Sequence, residues 1–291
     1  MIDHAIAIRS AARINVQDFV DGLNAAYEDY FVPIFITPDS FRDLIRRESI
    51  RLDASQAALA GERVVGTGLL GVRGQRGWIG GMGVIPAYRR RGIARRLMEA
   101  LIAQARRLAL RVLQLEVITR NEAAFALYRS LGFKVRRELV VLSGTQARTR
   151  TKPSGFAPNV TIDPERPAVL MASLHDLPAP ARPWQRDLAA LRLILPELSG
   201  FAARSPDGRV VGVCLYRARD YQKDVYEMAA LDDRIGLAMT AYLFQRFAVS
   251  NFTYLNVVDD DPLLPALVKG GFEEVLRQYE MWLPLNPESP A

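Results

Sequence analysis

The stretch Val84-Ile85-Pro86-Ala87-Tyr88-Arg89-Arg90-Arg91-Gly92-Ile93-Ala94-Arg95 decides how this chain folds. An apolar strand runs into Pro86, a basic turn follows, and a helical pattern starts at Ile93. A strand–turn–helix junction of this kind aims several unpaired backbone N–H groups, and the positive end of a helix dipole, at one point. Gly92 and Ala94 are small, so a bulky anion can come close to the main chain, and the arginines add charge-assisted contacts. The residues alone therefore predict an anion site suited to a phosphate or pyrophosphate. The competing reading is a basic turn that is merely solvated.

Outward from this junction the elements alternate. Ile93, Leu97, Leu101, Ala105 and Leu108 recur at helical spacing, flanked by Arg95, Arg96, Arg106 and Arg107. Val112–Ile118 is a β-branched strand. Asn121 caps a short helix whose Ala124, Leu127, Tyr128 and Leu131 share a face, and Gly132 ends it. A charged strand, Lys134 to Leu142, comes next. Upstream lie a strand at Ile6–Ser10, helices at Val16–Tyr27 and Pro38–Arg47, a hairpin of Ser55–Ala60 with Val64–Val72 around Gly61-Glu62, and a strand at Trp78–Val84. The order β-α-α-β-β-β-α-β-α-β predicts a mixed α/β sandwich.

The pattern then repeats. Gly61-Glu62-Arg63-Val64-Val65-Gly66 returns as Asp207-Gly208-Arg209-Val210-Val211-Gly212, and Leu127 to Phe133 returns as Leu267 to Phe272. Between the copies Thr145 to Asn159 is polar, basic and interrupted by two prolines and a glycine, which reads as a linker. The expected organisation is one domain over residues 1–145, a linker over 146–159 and a second domain over 160–291.

Two motifs carry a family resemblance. Arg89-x-x-Gly92-x-Ala94 resembles the pyrophosphate loop of the GCN5-related N-acetyltransferase (GNAT) superfamily, and Asn121-x-x-Ala124-x-x-x-Tyr128 followed by Gly132-Phe133 resembles that family's second hallmark. The resemblance covers about residues 6 to 143. It implies an α/β fold of two tandem GNAT-like mixed sandwiches, each a mostly antiparallel twisted sheet with splayed central strands flanked by helices. It implies acetyl-CoA as cosubstrate, no metal, and acetyl transfer to a primary amine by direct attack in a ternary complex.

The residue roles follow from the same resemblance. Met82, Gly83 and Val84 would lie on a strand that splays from its neighbour and bind the pantetheine amides, with an N–H near Val84 polarising the thioester carbonyl. Arg89, Arg90, Arg91, Gly92, Ile93, Ala94 and Arg95 would hold the pyrophosphate, and Asn121 and Phe125 would line the pantetheine arm. Tyr128 would protonate the leaving thiolate. Glu116, five residues before Asn121, matches the proposed base of ribosomal-protein N-terminal acetyltransferases, with a structural carboxylate as the alternative. Tyr27, Tyr30 and Phe31, beside Glu28 and Asp29, would meet the acceptor, or would pack their loop onto the core. Gly80 and Gly81 would leave room for the acceptor or mark a β-bulge.

The need for a base depends on the acceptor. A lysine amine is neutral in about one molecule in 2,500 at pH 7, an α-amine in roughly one in seven. Peptide or small-molecule amines both remain open, as does a longer acyl group. The alternative to an enzyme is a non-catalytic acyl-CoA-binding or regulatory module, for which Tyr128 and Glu116 would not be required.

The second copy changes type at the functional positions. Registered from Phe133 and Phe272, Val268 stands at the position of Tyr128, Asp260 at that of Asn121 and Leu255 at that of Glu116. The segment after Leu231, Asp232-Asp233-Arg234-Ile235-Gly236, is short and acidic, and Asp259-Asp260-Asp261 would repel a polyphosphate. A degenerate copy that shapes the acceptor pocket or mediates dimerisation is expected. Charge follows the same division: residues 1–145 carry a net +8 and residues 161–291 a net −5 within a total of +6.

The remaining expectations are exclusions. Cys214 stands alone and the chain has two histidines, so neither a disulfide framework nor a cysteine or histidine metal site is expected. No basic segment followed by an apolar stretch opens the chain, and no apolar run approaches a membrane span, so a soluble cytoplasmic protein without membrane partners is expected, monomer or homodimer. The basic turn lacks a recognisable nucleic-acid motif, so no nucleic-acid partner is expected.

Overall fold

The computed structural model describes residues 5–145, 159–247 and 250–285. Gln146 to Pro158, nearly all of the expected linker, lie outside the described residues. The chain forms two compact units, the first built from residues up to Arg136 together with those from Glu280 onward, the second from Arg137 to Tyr279.

In the first unit β1 (Ile6–Ser10), α1 (Val16–Ala26), α2 (Pro38–Arg47), β2 (Gln56–Ala60), β3 (Arg63–Arg73), β4 (Arg76–Val84), α3 (Ile93–Arg107), β5 (Val112–Ile118) and α4 (Glu122–Ser130) follow in the expected order. The strands lie in the order β1-β2-β3-β4-β5, continued by the end of β12 (Phe272–Pro284). Capping fixes the helix starts. Asn15 accepts from the Gln17 N–H, and Thr37 with Ser40 forms a reciprocal capping box ahead of Pro38. Gly61, with φ 63°, makes the turn between β2 and β3 that a side chain would strain. Of the expected α3 stripe Ile93, Leu97, Leu101 and Ala105 are buried, joined by Met98 and Ile102, whereas Leu108 falls just past the helix as its C-cap and is half-buried. Ile93 and Leu97 pack with Val65, Val84 and Ile85 in one core cluster, each such side chain stabilising the fold by about 1.5–3 kcal/mol.

The second unit contains β7 (Thr161–Pro164), α5 (Pro167–Ser173), α6 (Leu188–Leu193), β8 (Ser199–Arg204), β9 (Val210–Arg219), β10 (Gln222–Ala230), α7 (Asp233–Arg246), β11 (Asn251–Val258) and α8 (Leu264–Lys269). Its sheet runs β12-β6-β11-β10-β9-β8-β7, where β6 is Lys134–Thr145. The β8–β9 hairpin turns at Gly208, with φ 82°, as β2–β3 turns at Gly61. Residues Leu139 to Thr145 of β6 pair antiparallel with β11. The sequence places its compositional break after Thr145, whereas the compact units divide inside β6, between Arg136 and Arg137, and again inside β12, between Tyr279 and Glu280.

Candidate active site

The site begins where two parallel strands part. Among the described residues β4 and β5 pair only over Arg76–Trp78 and Val112–Gln114. The β3–β4 ladder slips near the same level, between Thr67 and Leu69, and Gly81 takes φ 56°. This is a β-bulge, the second of the two readings open for Gly80 and Gly81. The space a Cβ on Gly80 would take is filled by the Trp78 ring, 2.0 Å from that position, so Gly80 makes room for tryptophan rather than for an acceptor. Gly83 is needed for a different reason: a Cβ there would come within 2.9 Å of the Ala26 Cβ. Its absence lets the end of α1 close down on β4, where the Tyr27 hydroxyl donates to the Met82 carbonyl at 3.2 Å.

At the end of β4 the chain makes a short 3-10 turn at Pro86–Tyr88 and enters α3 through Gly92, with φ 73°. Arg90, with φ 63°, also holds a left-handed backbone in this turn. Gly92 supplies no side-chain cap and nothing stands within 4 Å of where its Cβ would be, so the first turn of α3 opens onto free space. Arg95 reaches Ser130 at 2.7 Å and Arg91 stacks on the Tyr88 ring at 5.4 Å. Arg89 points elsewhere. Its guanidinium makes a two-pronged ion pair with Asp29, at 2.6 and 2.7 Å, and donates to the carbonyls of Val84 and Ala26.

The opposite wall is α4. Asn121 accepts from the Ala124 N–H at 3.2 Å. One helical turn beyond Ala124, Tyr128 is buried, its ring 6.1 Å from that of Phe133. Burial, and then the neighbouring Tyr30, pushes the Tyr128 phenol well above its ordinary range, so it holds its proton. Burial raises Tyr27 in the same way, with Tyr30 and Tyr128 adding to it. Tyr30 stacks edge-on against both Tyr27 and Phe31, at 4.8 and 5.5 Å.

These walls enclose one cavity of about 560 Å³. Tyr27, Tyr30, Phe31, Met82, Gly83, Val84, Arg89, Arg90, Gly92, Ile93, Ala94, Arg95, Asn121 and Tyr128 all line it. Three of the residues singled out in the sequence do not. Arg91 is turned onto Tyr88, Phe125 carries Arg129 over its ring at 6.0 Å, and Glu116 accepts from the Trp78 indole N–H at 2.7 Å. Tyr88 and Leu127 line the cavity without having been singled out as site residues, and Asp29, one of the two acids noted beside the aromatic acceptor residues, lines it as well. Asp29 and Arg89 stand 60 residues apart, and no sequence spacing announces such a pair.

The second unit builds the same corner differently. Leu231 and Asp232 alone join β10 to α7, and the Asp232 carboxylate accepts from the N–H groups of Arg234 and Ile235, both at 2.9 Å. β10 and β11 pair in parallel over Gln222–Val225 and Asn251–Tyr254, and the ladder between β10 and β9 slips between Val225 and Glu227. Beyond that point the Tyr254 hydroxyl accepts from the Met228 N–H at 2.9 Å and from Arg186 at 2.6 Å. Arg186, buried, also donates to the carbonyls of Tyr226 and Asn256.

A parted strand pair, an uncapped helix start and a buried phenol on the next helix thus meet around one cavity. Residues 19–133 match the model of the Acetyltransferase (GNAT) family. Part of the chain is 48% identical over 77 residues to the N-alpha-acetyltransferase RimI of Mycobacterium tuberculosis, a match taking in 25% of this chain and 47% of that protein, about half its length. Among solved structures the chain is similar to a tandem GNAT protein from the clavulanic acid biosynthesis pathway, with TM-score 0.70, 16% identity, and coverage of 98% of this chain and 100% of the other. It is also similar to a GCN5-related N-acetyltransferase from Sphaerobacter thermophilus, with TM-score 0.71, 15% identity and 98% of each chain covered. At those identities the likeness is one of fold, and it extends the tandem architecture over the whole chain.

Proposed function

We propose that the protein transfers an acetyl group from acetyl-CoA to a primary amine by direct attack in a ternary complex within the first-unit cavity. The observation that supports this most is that one cavity joins the uncapped start of α3 to the buried hydroxyl of Tyr128. The donor set suits the cosubstrate: the N–H groups at Ile93–Arg95, with Arg90 and Arg95, face a pyrophosphate, and the edge of β4 at Met82–Val84 faces a pantetheine arm. Acetyl-CoA supplies the activated thioester. Tyr128, protonated through the neutral range, delivers its proton to the departing thiolate.

Glu116 is the base candidate. Its carboxylate stands outside the cavity wall on β5, just past the last β4–β5 pair, with one oxygen fixed by Trp78. Tyr27, Tyr30 and Phe31 form an aromatic rim suited to an amine whose body is partly apolar. The resemblance to an N-alpha-acetyltransferase makes a peptide α-amine the first acceptor to offer. In the second unit Asp232 occupies its own helix start and Arg186 fills the parted strands, so that unit carries no acetyl-CoA.

The test is thiol release from acetyl-CoA with a free-N-terminus hexapeptide, Nα-acetyl-lysine amide, spermidine and glucosamine. Turnover of one of these, lost with acetyl-CoA binding when Gly92 is replaced, supports the proposal. Tight acetyl-CoA binding with no transfer to any of them returns the protein to the acyl-CoA-binding alternative.

A further inference from the structure

Arg89 opens the sequence motif of the phosphate loop, yet four of its five N–H donors are already spent inside the protein. Two go to the Asp29 carboxylate, one to the Ala26 carbonyl at the end of α1, and one to the Val84 carbonyl at the end of β4. A guanidinium clamped in this way ties together the two segments that meet at the cavity. On one side is the loop carrying Tyr27, Tyr30 and Phe31; on the other is the strand edge beside which the acyl group would lie.

Resting on the function proposed above, we infer that Asp29 and Arg89 form a positioning pair that sets the acceptor loop over the acyl site, and that Arg89 does not serve the pyrophosphate. The two charges satisfy one another, so Asp29, the acid of this loop that lines the cavity, is not left over to bind an ammonium, and the acceptor is read by the aromatic rim. The pair is half exposed, with side chains 41% and 53% accessible, and ion pairs of that kind contribute little to stability. Its value lies in geometry: the planar fork engages both carboxylate oxygens at once, which a lysine at position 89 could not do. Gly83 belongs to the same device, because only a residue without a Cβ lets Ala26 and Tyr27 close onto β4.

The experiment compares Asp29→Asn, Arg89→Met and the double variant with the unaltered protein. Acetyl-CoA affinity is measured by calorimetry, and steady-state constants use whichever amine of the panel is turned over fastest. Each variant should keep acetyl-CoA affinity within about three-fold while the acceptor KM rises about ten-fold or more. The double variant should be no worse than the worse single one, since both remove the same clamp. Hydrogen exchange of the Tyr27–Phe31 amides should quicken in all three.

A ten-fold loss of acetyl-CoA affinity in Arg89→Met, with tighter binding in Asp29→Asn, would overturn the inference by making Arg89 a phosphate ligand held in reserve. An unchanged acceptor KM, or unchanged exchange in the loop, would also overturn it. Should the unaltered protein acetylate no amine, the functional proposal fails, while the acetyl-CoA titrations and the exchange data still decide what Arg89 does.

Discussion

The chemistry assigned to the cavity turns on single side chains. Removing the Tyr128 hydroxyl with Tyr128→Phe should lower kcat by about 10²-fold or more and leave acetyl-CoA affinity within a few-fold. Unchanged turnover would take Tyr128 out of the mechanism. The direction of its shift gives a pH test. A general acid works while protonated, and burial raises this phenol above its ordinary value near 10. Turnover at saturating amine should therefore show no decline as the pH is raised to 10, and a decline with a midpoint below that would contradict the assignment. Glu116 is tested by Glu116→Gln, which can still accept from Trp78. If Glu116 takes the acceptor's proton, turnover at neutral pH falls and its rise moves to higher pH. An unmoved profile makes Glu116 an anchor for the Trp78 indole. At this scale the sequence was informative where motif residues sit close together in the chain, as at Gly92 and at Asn121 with Tyr128. It was silent on Asp29 with Arg89 and on Trp78 with Glu116, because those pairs meet only after the strands between them have folded.

Elements were legible where periodicity and capping agree. α2 and β5 have the bounds their sequences suggest, because Thr37-Pro38 starts one and the β-branched run Val112–Ile118 defines the other. β6 was read as ending near Leu142 and continues to Thr145, where antiparallel pairing with β11 carries it on past its apolar run. Local pattern cannot report a partner that lies more than a hundred residues away. The two helix starts give the sharpest comparison between the copies. α3 begins at a bare glycine and α7 begins under its own aspartate, so one has N–H groups to offer an anion and the other has used them. Gly92→Glu should place a carboxylate at that opening and abolish measurable acetyl-CoA binding without unfolding the protein, as circular dichroism would show. Retained affinity would remove the α3 start from the site. In the second unit, Arg186→Met should destabilise the protein by about 2 kcal/mol or more in urea unfolding, because the carbonyls of Tyr226 and Asn256 lose a buried donor while Glu227 keeps Arg182 at 2.6 Å. A change below 1 kcal/mol would mean that Arg186 only fills space.

Over the whole molecule two copies of one fold differ at one corner, where α3 starts at a bare glycine and α7 starts under its own aspartate. The charge asymmetry visible in the sequence belongs to that division, with the basic half carrying the loop that would meet a polyanion. Repetition of the two hairpin turns and the two Gly-Phe strand starts makes the tandem fold legible in the sequence. What composition could not show is that the compact units divide within β6 and β12 rather than at the polar stretch after Thr145. A strand contributes to one sheet or another through its hydrogen-bond partners, and composition does not record them. The proposed function requires this tandem protein to carry one acetyl-CoA site, in its first unit. Calorimetric titration with acetyl-CoA should give one site per chain, lost in Gly92→Glu and kept in a variant with Asp232→Asn in the second unit. Two sites per chain, or one that survives Gly92→Glu, would contradict it.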